Sequence, residues 1–306
     1  MKTHPALSLM KKNKLYYALI APGIIYFLIF HYTPMYGLII AFKDIAPFDG
    51  VEGIFTAEWV GLKHFKSFID SYYFWNITGN TLLISFYRLI FGFPAPILLA
   101  LLLNEIGSIV FKRTIQTISY LPHFLSMVVV AGLASTLLTT DGGFINGMLL
   151  KLGMESVPFL SSTDYFRPML VISGIWKEVG WGMIIYLAAI AGIDPQQYEA
   201  ARMDGAGKLR QVWHITLPGM RHIIVIMFIL SIGGIMDAGF EQIFLLYSPP
   251  VYEVSDIIDT YVYRKGLVEV QYSFAAAVGL FKSVIAFALI LSANYVAKKF
   301  DQEGIW

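Results

Sequence analysis

The sequence predicts an all-α integral membrane protein with six transmembrane helices. Of its 306 residues, 57% are hydrophobic and only 14% are charged, and the mean hydropathy is +0.65. The chain also contains six separate apolar runs, each long enough to cross ~30 Å of hydrocarbon as a helix of ~20 residues. A soluble domain of this length needs far fewer apolar residues to fill its core. Most of the chain is therefore expected to lie in lipid.

The first apolar run follows a basic segment and could be mistaken for a cleaved signal peptide. It is longer than a typical signal-peptide core and no small-residue cleavage site follows it, so we predict a retained helix. The fifth run is the least regular, because Gly233, Gly234 and Asp237 interrupt its outer end. The predicted spans are 15–41, 81–103, 119–138, 168–191, 222–236 and 272–297.

The distribution of Lys and Arg predicts the orientation, because these residues are retained on the cytoplasmic side. With the N-terminus inside, the cytoplasmic segments hold twelve basic residues against six acids, and the external segments hold seven against fourteen. Both termini and the loop between the fourth and fifth spans are therefore expected in the cytoplasm. The net charge of +1 conceals this asymmetry and gives no indication of a nucleic-acid partner.

The loop between the fourth and fifth spans has a helical pattern of its own. Asp194 is a suitable N-cap, Pro195 fits the first helical position, and Gln197 stands where a capping-box side chain reaches back to the cap. A helix over 195–203 is therefore predicted. Gly205 should end it, because glycine adopts the left-handed conformation at little cost.

The rest of this loop predicts a second short helix over 208–216, after which Pro218 redirects the chain towards the fifth span. In the first helix, Tyr198 and Arg202 share one face at i, i+4 spacing. An ordinary amphipathic helix at the membrane interface would show the same features. The pattern alone leaves both interpretations open.

The fixed residues of this loop resemble the EAA motif of binding-protein-dependent ABC importer permeases, in which E-A-A, three residues, G, nine residues and I-x-L-P follow one another. Every fixed position is present: Glu199, Ala200, Ala201, Gly205, Ile215, Leu217 and Pro218. The resemblance covers the five spans from about 81 to 297 and implies a type I importer permease fold. Three further stretches, 19–23, 120–122 and 298–300, resemble the oligosaccharide or polysaccharide permeases of Gram-positive bacteria.

The resemblance implies how the chain is divided and what it works with. Residues 1–14 would form a cytoplasmic segment, 15–80 an extra helix with an external loop, 81–297 a five-helix core that contains the coupling loop 192–221, and 298–306 a cytoplasmic tail. Implied partners are a second permease subunit, two cytoplasmic ABC ATPase subunits and an extracellular solute-binding protein. The EAA residues, with Tyr198 and Asp204, would couple this chain to the ATPase, which would bind ATP and Mg²⁺. This chain would bind no cofactor itself.

Catalytic and metal-binding motifs are missing from the sequence. The segment Gly205–Lys208 matches only part of the phosphate-binding loop motif. That motif requires glycine at 202 and Ser or Thr at 209, and the sequence has Arg202 and Leu209 there. There is no H-E-x-x-H, no G-x-S-x-G and no clustered metal ligand set. Cysteine is absent, which excludes disulfides and thiolate sites. We therefore expect a transporter subunit and not an enzyme.

Ionisable residues inside predicted spans are energetically costly and are candidates for function. On this topology four ionisable residues lie at similar depth in the membrane and could share one layer: Arg88, Lys177, Glu178 and Lys282. Aromatic residues, whose rings suit the mixed faces of a sugar, are close to them in the sequence. Three positive groups against one negative would favour an anionic oligosaccharide. Alternatively, Glu178 pairs with Arg88 or Lys282 and holds the bundle together. The candidate pathway residues are Tyr87, Arg88, Trp176, Lys177, Glu178, Trp181 and Lys282.

The expected function is that of a permease subunit in an ATP-driven importer of an oligosaccharide, located in the bacterial cytoplasmic membrane. Two other classes stay open at this point. A gradient-driven secondary transporter would also place charges inside spans, although an inverted repeat is usual there and none is visible. A membrane-anchored receptor or structural subunit would need the spans without a lined cavity.

Overall fold

The computed structural model describes residues 13–299. Residues 1–12 of the predicted cytoplasmic segment and 300–306 of the predicted tail lie outside the described residues. In chain order the elements are α1 (Lys14–Phe42), β1 (Lys43–Asp44), α2 (Gly53–Thr56), β2 (Glu58–Trp59), α3 (Lys63–Ile69), α4 (Phe74–Asn104), α5 (Ile109–Phe124), α6 (Met127–Leu138), α7 (Phe144–Lys151), α8 (Thr163–Ala191), α9 (Pro195–Met203), α10 (Lys208–Gly233), α11 (Phe240–Leu246), α12 (Tyr252–Ser255), α13 (Ile258–Tyr263) and α14 (Tyr272–Lys299).

Within residues 13–299, five helices are long and apolar enough to cross a membrane: α1, α4, α8, α10 and α14. They correspond to predicted spans one, two, four, five and six. Predicted span three, 119–138, corresponds to the pair α5 and α6, whose axes meet at 103° and not in one straight helix. The number of spans among the described residues is six if this bent pair counts as one. Pro122 and the N-cap Ser126, whose side chain accepts from the Val129 amide, explain the break.

Prolines inside the long helices do not end them. The π-helical turns Leu28–Tyr32, Arg88–Gly92 and Val212–Thr216 each finish two residues before a proline, at Pro34, Pro94 and Pro218 respectively. A wider turn makes room for a ring that has no amide hydrogen and would collide with the preceding carbonyl. The prediction that Pro218 redirects the chain is therefore wrong, and α10 runs unbroken from the loop into the fifth span.

The residue contacts divide the described chain into two units, and residues 13–69 with 264–280 form the first. Its polar centre is a two-residue antiparallel ladder in which Lys43 pairs with Trp59 and Asp44 with Glu58. The Lys43 ammonium is buried and donates to the carbonyl of Ile54 at 2.8 Å, near the end of α2. This arrangement satisfies a buried cation with the free carbonyls of a helix end.

The second unit comprises residues 70–263 and 281–299, and α8 lies at its centre, packed against α4, α5 and α10. Two apolar cores hold it together. The first core is formed by Ile84, Ala131, Ala134, Phe166, Met169, Leu170, Ala238, Ile243, Leu246, Val251 and Ile257. The second core, beside the loop 192–221, is formed by Ile97, Ala100, Leu103, Met183, Tyr186, Ile190 and Met220. Arg88 of α4, and Lys177 and Glu178 of α8, lie along their helices between these two sets.

Candidate functional site

A cavity of about 430 Å³ lies within the second unit, between α4, α8 and α10. Its volume falls in the range of ~300–1,000 Å³ that is usual for ligand pockets. The walls are mainly apolar and carry a small set of polar side chains. These are Ser85, Arg88, Lys177, Glu178, Trp181, Ser231, Asp237 and Gln242.

Arg88 lies in the π-helical turn of α4, and a hydrogen bond to Gln242 of α11 orients its side chain. Its Nη2 donates to Gln242 Oε1, and the buried Gln242 amide donates in turn to Ser173 Oγ at 2.8 Å and to the Leu170 carbonyl at 3.2 Å. The guanidinium Nε is buried without a hydrogen-bond partner. Among the described residues no carboxylate lies within ion-pair distance of Arg88, and its side-chain hydrogen bond goes to a neutral amide. The charges of Asp237 and Glu178 act on the guanidinium from a longer distance.

Gly239 explains how the guanidinium fits beside the backbone before α11. This glycine has a φ of 85°, and a Cβ added there would overlap the Arg88 guanidinium. Any other residue would be strained in its backbone and would also displace Arg88.

A second polar cluster joins α8 to the break between α5 and α6. The buried Lys177 ammonium donates to the His123 carbonyl at 2.9 Å and lies 3.1 Å from Glu178 Oε1. His123 Nδ1 lies 2.7 Å from Glu178 Oε2, and the His123 ring is stacked on Trp181 with centroids 4.5 Å apart. Lys177 and Glu178 therefore neutralise each other and hold the broken span against α8.

The structure brings together only part of the predicted pathway. Arg88, Lys177, Glu178 and Trp181 line one cavity, whereas Tyr87, Trp176 and Lys282 are not among its lining residues. Lys282 is paired with Asp259, with Nζ 2.6 Å from Oδ2.

Two expectations about these charges are wrong. Glu178 pairs with Lys177 and His123, and not with Arg88 or Lys282. The cavity walls contain two cations and two acids, because Asp237 lines the cavity and Lys282 does not. The excess of positive charge that favoured an anionic substrate is therefore absent, and only the unpaired state of Arg88 still favours one.

Sequence reasoning missed three residues of this site. Asp237 was treated as an irregularity at the end of a span, although an acid at that position is a signal in itself. His123 belongs to no motif in the sequence, but its ring nitrogen contacts Glu178 at the cavity wall. Gln242 lies between the fifth and sixth spans, and nothing in the sequence indicates that its side chain contacts Arg88.

The predicted loop helix and its N-cap are present, but the predicted capping box is not formed. Asp194 Oδ1 accepts from the Gln196 amide at 2.9 Å, and α9 ends before Gly205, which has a φ of 73°. Within the described chain the Gln197 side chain makes no hydrogen bond to the cap. The Tyr198 hydroxyl instead lies 3.0 Å from Thr216 Oγ1 and ties α9 to α10.

The EAA residues divide between the two faces of this loop. Glu199, Ala200, Asp204 and Pro218 are exposed, as is Met203 at 89%, while Ala201, Ile215 and Leu217 are half-buried. Leu217 packs against the apolar core near the loop. One side of α9 thus rests on the bundle and the other side is open. Among residues 13–299 no group of three or more His, Asp or Glu side chains is placed to hold a metal ion.

A bundle of membrane-length helices with a polar cavity inside it and an exposed helical loop between two spans defines a multi-pass membrane protein of the permease class. Residues 92–302 match the family described as binding-protein-dependent transport system inner membrane component, and the chain belongs to this family. The predicted type I importer permease fold is confirmed. Of the three function classes left open by the sequence, the chain is a permease subunit of a binding-protein-dependent ABC importer.

Individual relatives are similar over nearly their whole length. The chain is 50% identical over 297 residues to protein LplB of Bacillus subtilis, covering 97% of this chain and 92% of that protein. It is 49% identical over 295 residues to the polygalacturonan/rhamnogalacturonan transport system permease protein YteP of the same organism, covering 96% and 91%. One chain of the crystal structure of a bacterial alginate ABC transporter, in complex with an alginate pentasaccharide-bound periplasmic protein, superposes with a TM-score of 0.89 at 42% identity. That match covers 97% of this chain and 99% of that chain.

Proposed function

We propose that this chain carries an acidic oligosaccharide across the cytoplasmic membrane, together with a second permease subunit and two ATPase subunits. An acidic substrate is supported mainly by Arg88, a cation at the cavity wall that has no carboxylate within ion-pair distance among the described residues. A sugar carboxylate would form the direct bidentate ion pair that Asp237 and Glu178, which act on Arg88 from beyond ion-pair distance, do not form. The relatives named for polygalacturonan and alginate transport support an acidic substrate.

The remaining wall suits a carbohydrate. The Asp237 carboxylate accepts hydrogen bonds from sugar hydroxyls, and Ser85 and Ser231 add hydroxyls that both donate and accept. Trp181 adds an aromatic face that complements the apolar face of a sugar ring. The cavity would form this subunit's part of the pathway, with the partner permease completing it.

The test compares trigalacturonic acid with its methyl ester, which keeps the sugar rings and hydroxyls but carries methyl groups in place of the carboxylate charges. In vesicles with the reconstituted complex, Arg88→Gln should raise KM for the acid about 10–100-fold, because a charge-assisted hydrogen bond contributes about 1.5–3 kcal/mol. Uptake of the ester should stay unchanged. Arg88→Lys keeps the charge without the planar fork and should give an intermediate KM. Equal effects of Arg88→Gln on both substrates would refute the role of Arg88 in recognising charge.

The coupling function is proposed for the open side of α9. Glu199, Ala200 and Met203 are exposed there, whereas Tyr198 on the other side is hydrogen-bonded to α10. A small residue such as Ala200 lets another surface approach the helix closely. We propose that this side contacts the ATPase, which would bind ATP and Mg²⁺, and that α10 transmits the movement to the fifth span as one continuous helix.

Charge reversal tests this contact. Glu199→Lys should leave membrane insertion intact and abolish substrate-stimulated ATP hydrolysis and uptake. Gln197→Lys is the matched control, because residue 197 is also exposed but lies about 160° around the helix from residue 199. Wild-type coupling in Glu199→Lys, or an equal loss in Gln197→Lys, would contradict the proposed contact.

The proposed orientation places both termini and α9 in the cytoplasm. Because the chain has no cysteine, a single Arg113→Cys or Lys66→Cys substitution gives an unambiguous labelling site. An impermeant maleimide applied to whole cells should label Lys66→Cys and not Arg113→Cys. The opposite pattern would reverse the topology.

A further inference from the structure

A second cavity lies under the coupling loop, away from the site described above. It has a volume of about 530 Å³ and is enclosed by the ends of α4 and α8, one face of α5, the inner side of α9 and the start of α10. It is on the side of α9 opposite to the proposed ATPase contact, because Tyr198 and Arg202 line it and Glu199 and Ala200 do not. Binding of the ATPase to the open side of α9 would therefore leave this cavity accessible.

The walls of this cavity carry more positive than negative charge. Lys112, Arg202 and Lys208 line it, and Glu105 is the acid among its lining residues. Glu105 is already engaged, since its Oε2 lies 3.1 Å from Lys208 Nζ. Lys112 and Arg202 have no carboxylate within ion-pair distance among the described residues; Arg202 Nε donates to the neutral Tyr198 carbonyl at 3.2 Å. Two cations therefore face one space without a counter-ion.

The other walls narrow the choice of ligand. The Gln116 side chain faces the cavity and offers an amide donor, and the floor is apolar, formed by Leu187, Ile190 and Ile193. Two membrane-length helices end at this level, α4 at Asn104 and α8 at Ala191. A basic pocket between the cytoplasmic ends of spans, with an apolar floor, suits the phosphate of an anionic phospholipid and the first part of its acyl chains.

We propose that this cavity binds a phosphate group through Lys112 and Arg202, and that an anionic phospholipid supplies it. The bound phosphate bridges α5, which carries Lys112, and α9, which carries Arg202. A bound phosphate thereby fixes α9 relative to the bundle. The fraction of anionic lipid in the inner leaflet then determines how often α9 is held in this position. The inference depends on the proposed orientation and not on the substrate, so the uptake tests above and the binding test below fail independently.

The test measures binding of radiolabelled dioleoylphosphatidylglycerol to the purified importer complex in mixed micelles, with dioleoylphosphatidylcholine as the neutral probe. Each cation close to an anionic headgroup contributes about a fivefold change in affinity. Lys112→Gln and Arg202→Gln should each weaken the saturable phosphatidylglycerol site about fivefold, and the double variant about 25-fold. Lys112→Arg keeps the charge and should keep the site, which separates loss of charge from loss of folding.

Arg113→Gln and Arg210→Gln are the matched controls. Both residues are exposed and neighbour the cavity in sequence, but neither lines it. They should lower only the non-saturable binding that any basic surface produces. Glycerol 1-phosphate is the competing soluble probe. Binding of this probe with the same dependence on Lys112 and Arg202, without phosphatidylglycerol binding, would assign the phosphate to a soluble ligand. Binding of either probe that is unaffected by the double variant would overturn the proposal.

Discussion

Because α8 packs closely against α5, we predict that Gly180→Ala, which adds a single methyl group, lowers the stability of the protein. A Cβ at residue 180 would overlap the carbonyl group of Ser119 and the amide nitrogen of Tyr120. Both obstacles are backbone atoms, so no side chain can rotate away and the two helices must separate. Close packing of protein interiors makes such a separation costly over the whole contact.

The magnitude follows from two opposing effects. Overpacking costs about 1–3 kcal/mol, and a clash with backbone belongs at or above the upper end of that range. Replacing glycine by alanine inside a helix stabilises the helix by up to about 1 kcal/mol. The net loss is therefore about 2 kcal/mol, which corresponds to a fall in Tm of roughly 4–8 °C.

The assay is thermal unfolding of the purified chain in mild detergent, with Gly79→Ala as the control. Gly79 lies in α4 with nothing within 4 Å of an added Cβ, so that substitution should leave Tm unchanged or raise it. Gly180→Ala should also lower uptake, because displacement of α5 lengthens the 2.9 Å bond from Lys177 to the His123 carbonyl. Equal Tm values for the two variants would refute the argument from backbone contact.

Three further predictions concern other parts of the chain. Lys282→Met leaves the Asp259 carboxylate without its 2.6 Å partner and should lower the free energy of unfolding by about 2 kcal/mol; adding Asp259→Asn should recover part of this loss in the same Tm assay. The hydrogen bond from Lys63 lowers the pKa of Asp44 below its ordinary value of 3.8, so this pair stabilises the fold above that pH and its contribution is lost as pH falls through the lowered pKa. Asp44→Asn should therefore differ in Tm from the wild type at neutral pH and converge with it in strong acid, and a constant difference would contradict the role of the pair. Asp194→Ala removes the N-cap of α9, costs about 1 kcal/mol and should accelerate amide hydrogen exchange in α9 but not in α8.

The loop helix α9 was predictable because its signals are local. An N-cap, a proline at the first helical position and a glycine with positive φ act within a few residues, so α9 begins at Pro195 and ends before Gly205 as predicted. The same local reasoning failed at Pro218. A proline rule assumes a regular α-helix before the ring, whereas the preceding π-helical turn accommodates it.

The candidate site was predictable in its residue types and not in its pairings. Arg88, Lys177 and Glu178 stood out because charges inside apolar runs are costly, and all three line one cavity. Lys177 and Glu178 are neighbours and pair with each other, but the other partners come from residues far away in sequence: Gln242 for Arg88, and His123 for Glu178. The sequence predicts how deep a residue lies along its helix, but it does not predict towards which neighbouring helix the side chain points.

The sequence by itself determined the membrane class, the long helices and the loop helix α9, because the length of an apolar run and the residues of a helix cap depend on neighbours along the chain. Only the tertiary structure decided which charges are neutralised. Lys282 is paired with Asp259 and Glu178 with His123, whereas Arg88 has no carboxylate within ion-pair distance among the described residues. Pairing requires side-chain atoms within about 4 Å, and the packing of helices distant in sequence determines those distances.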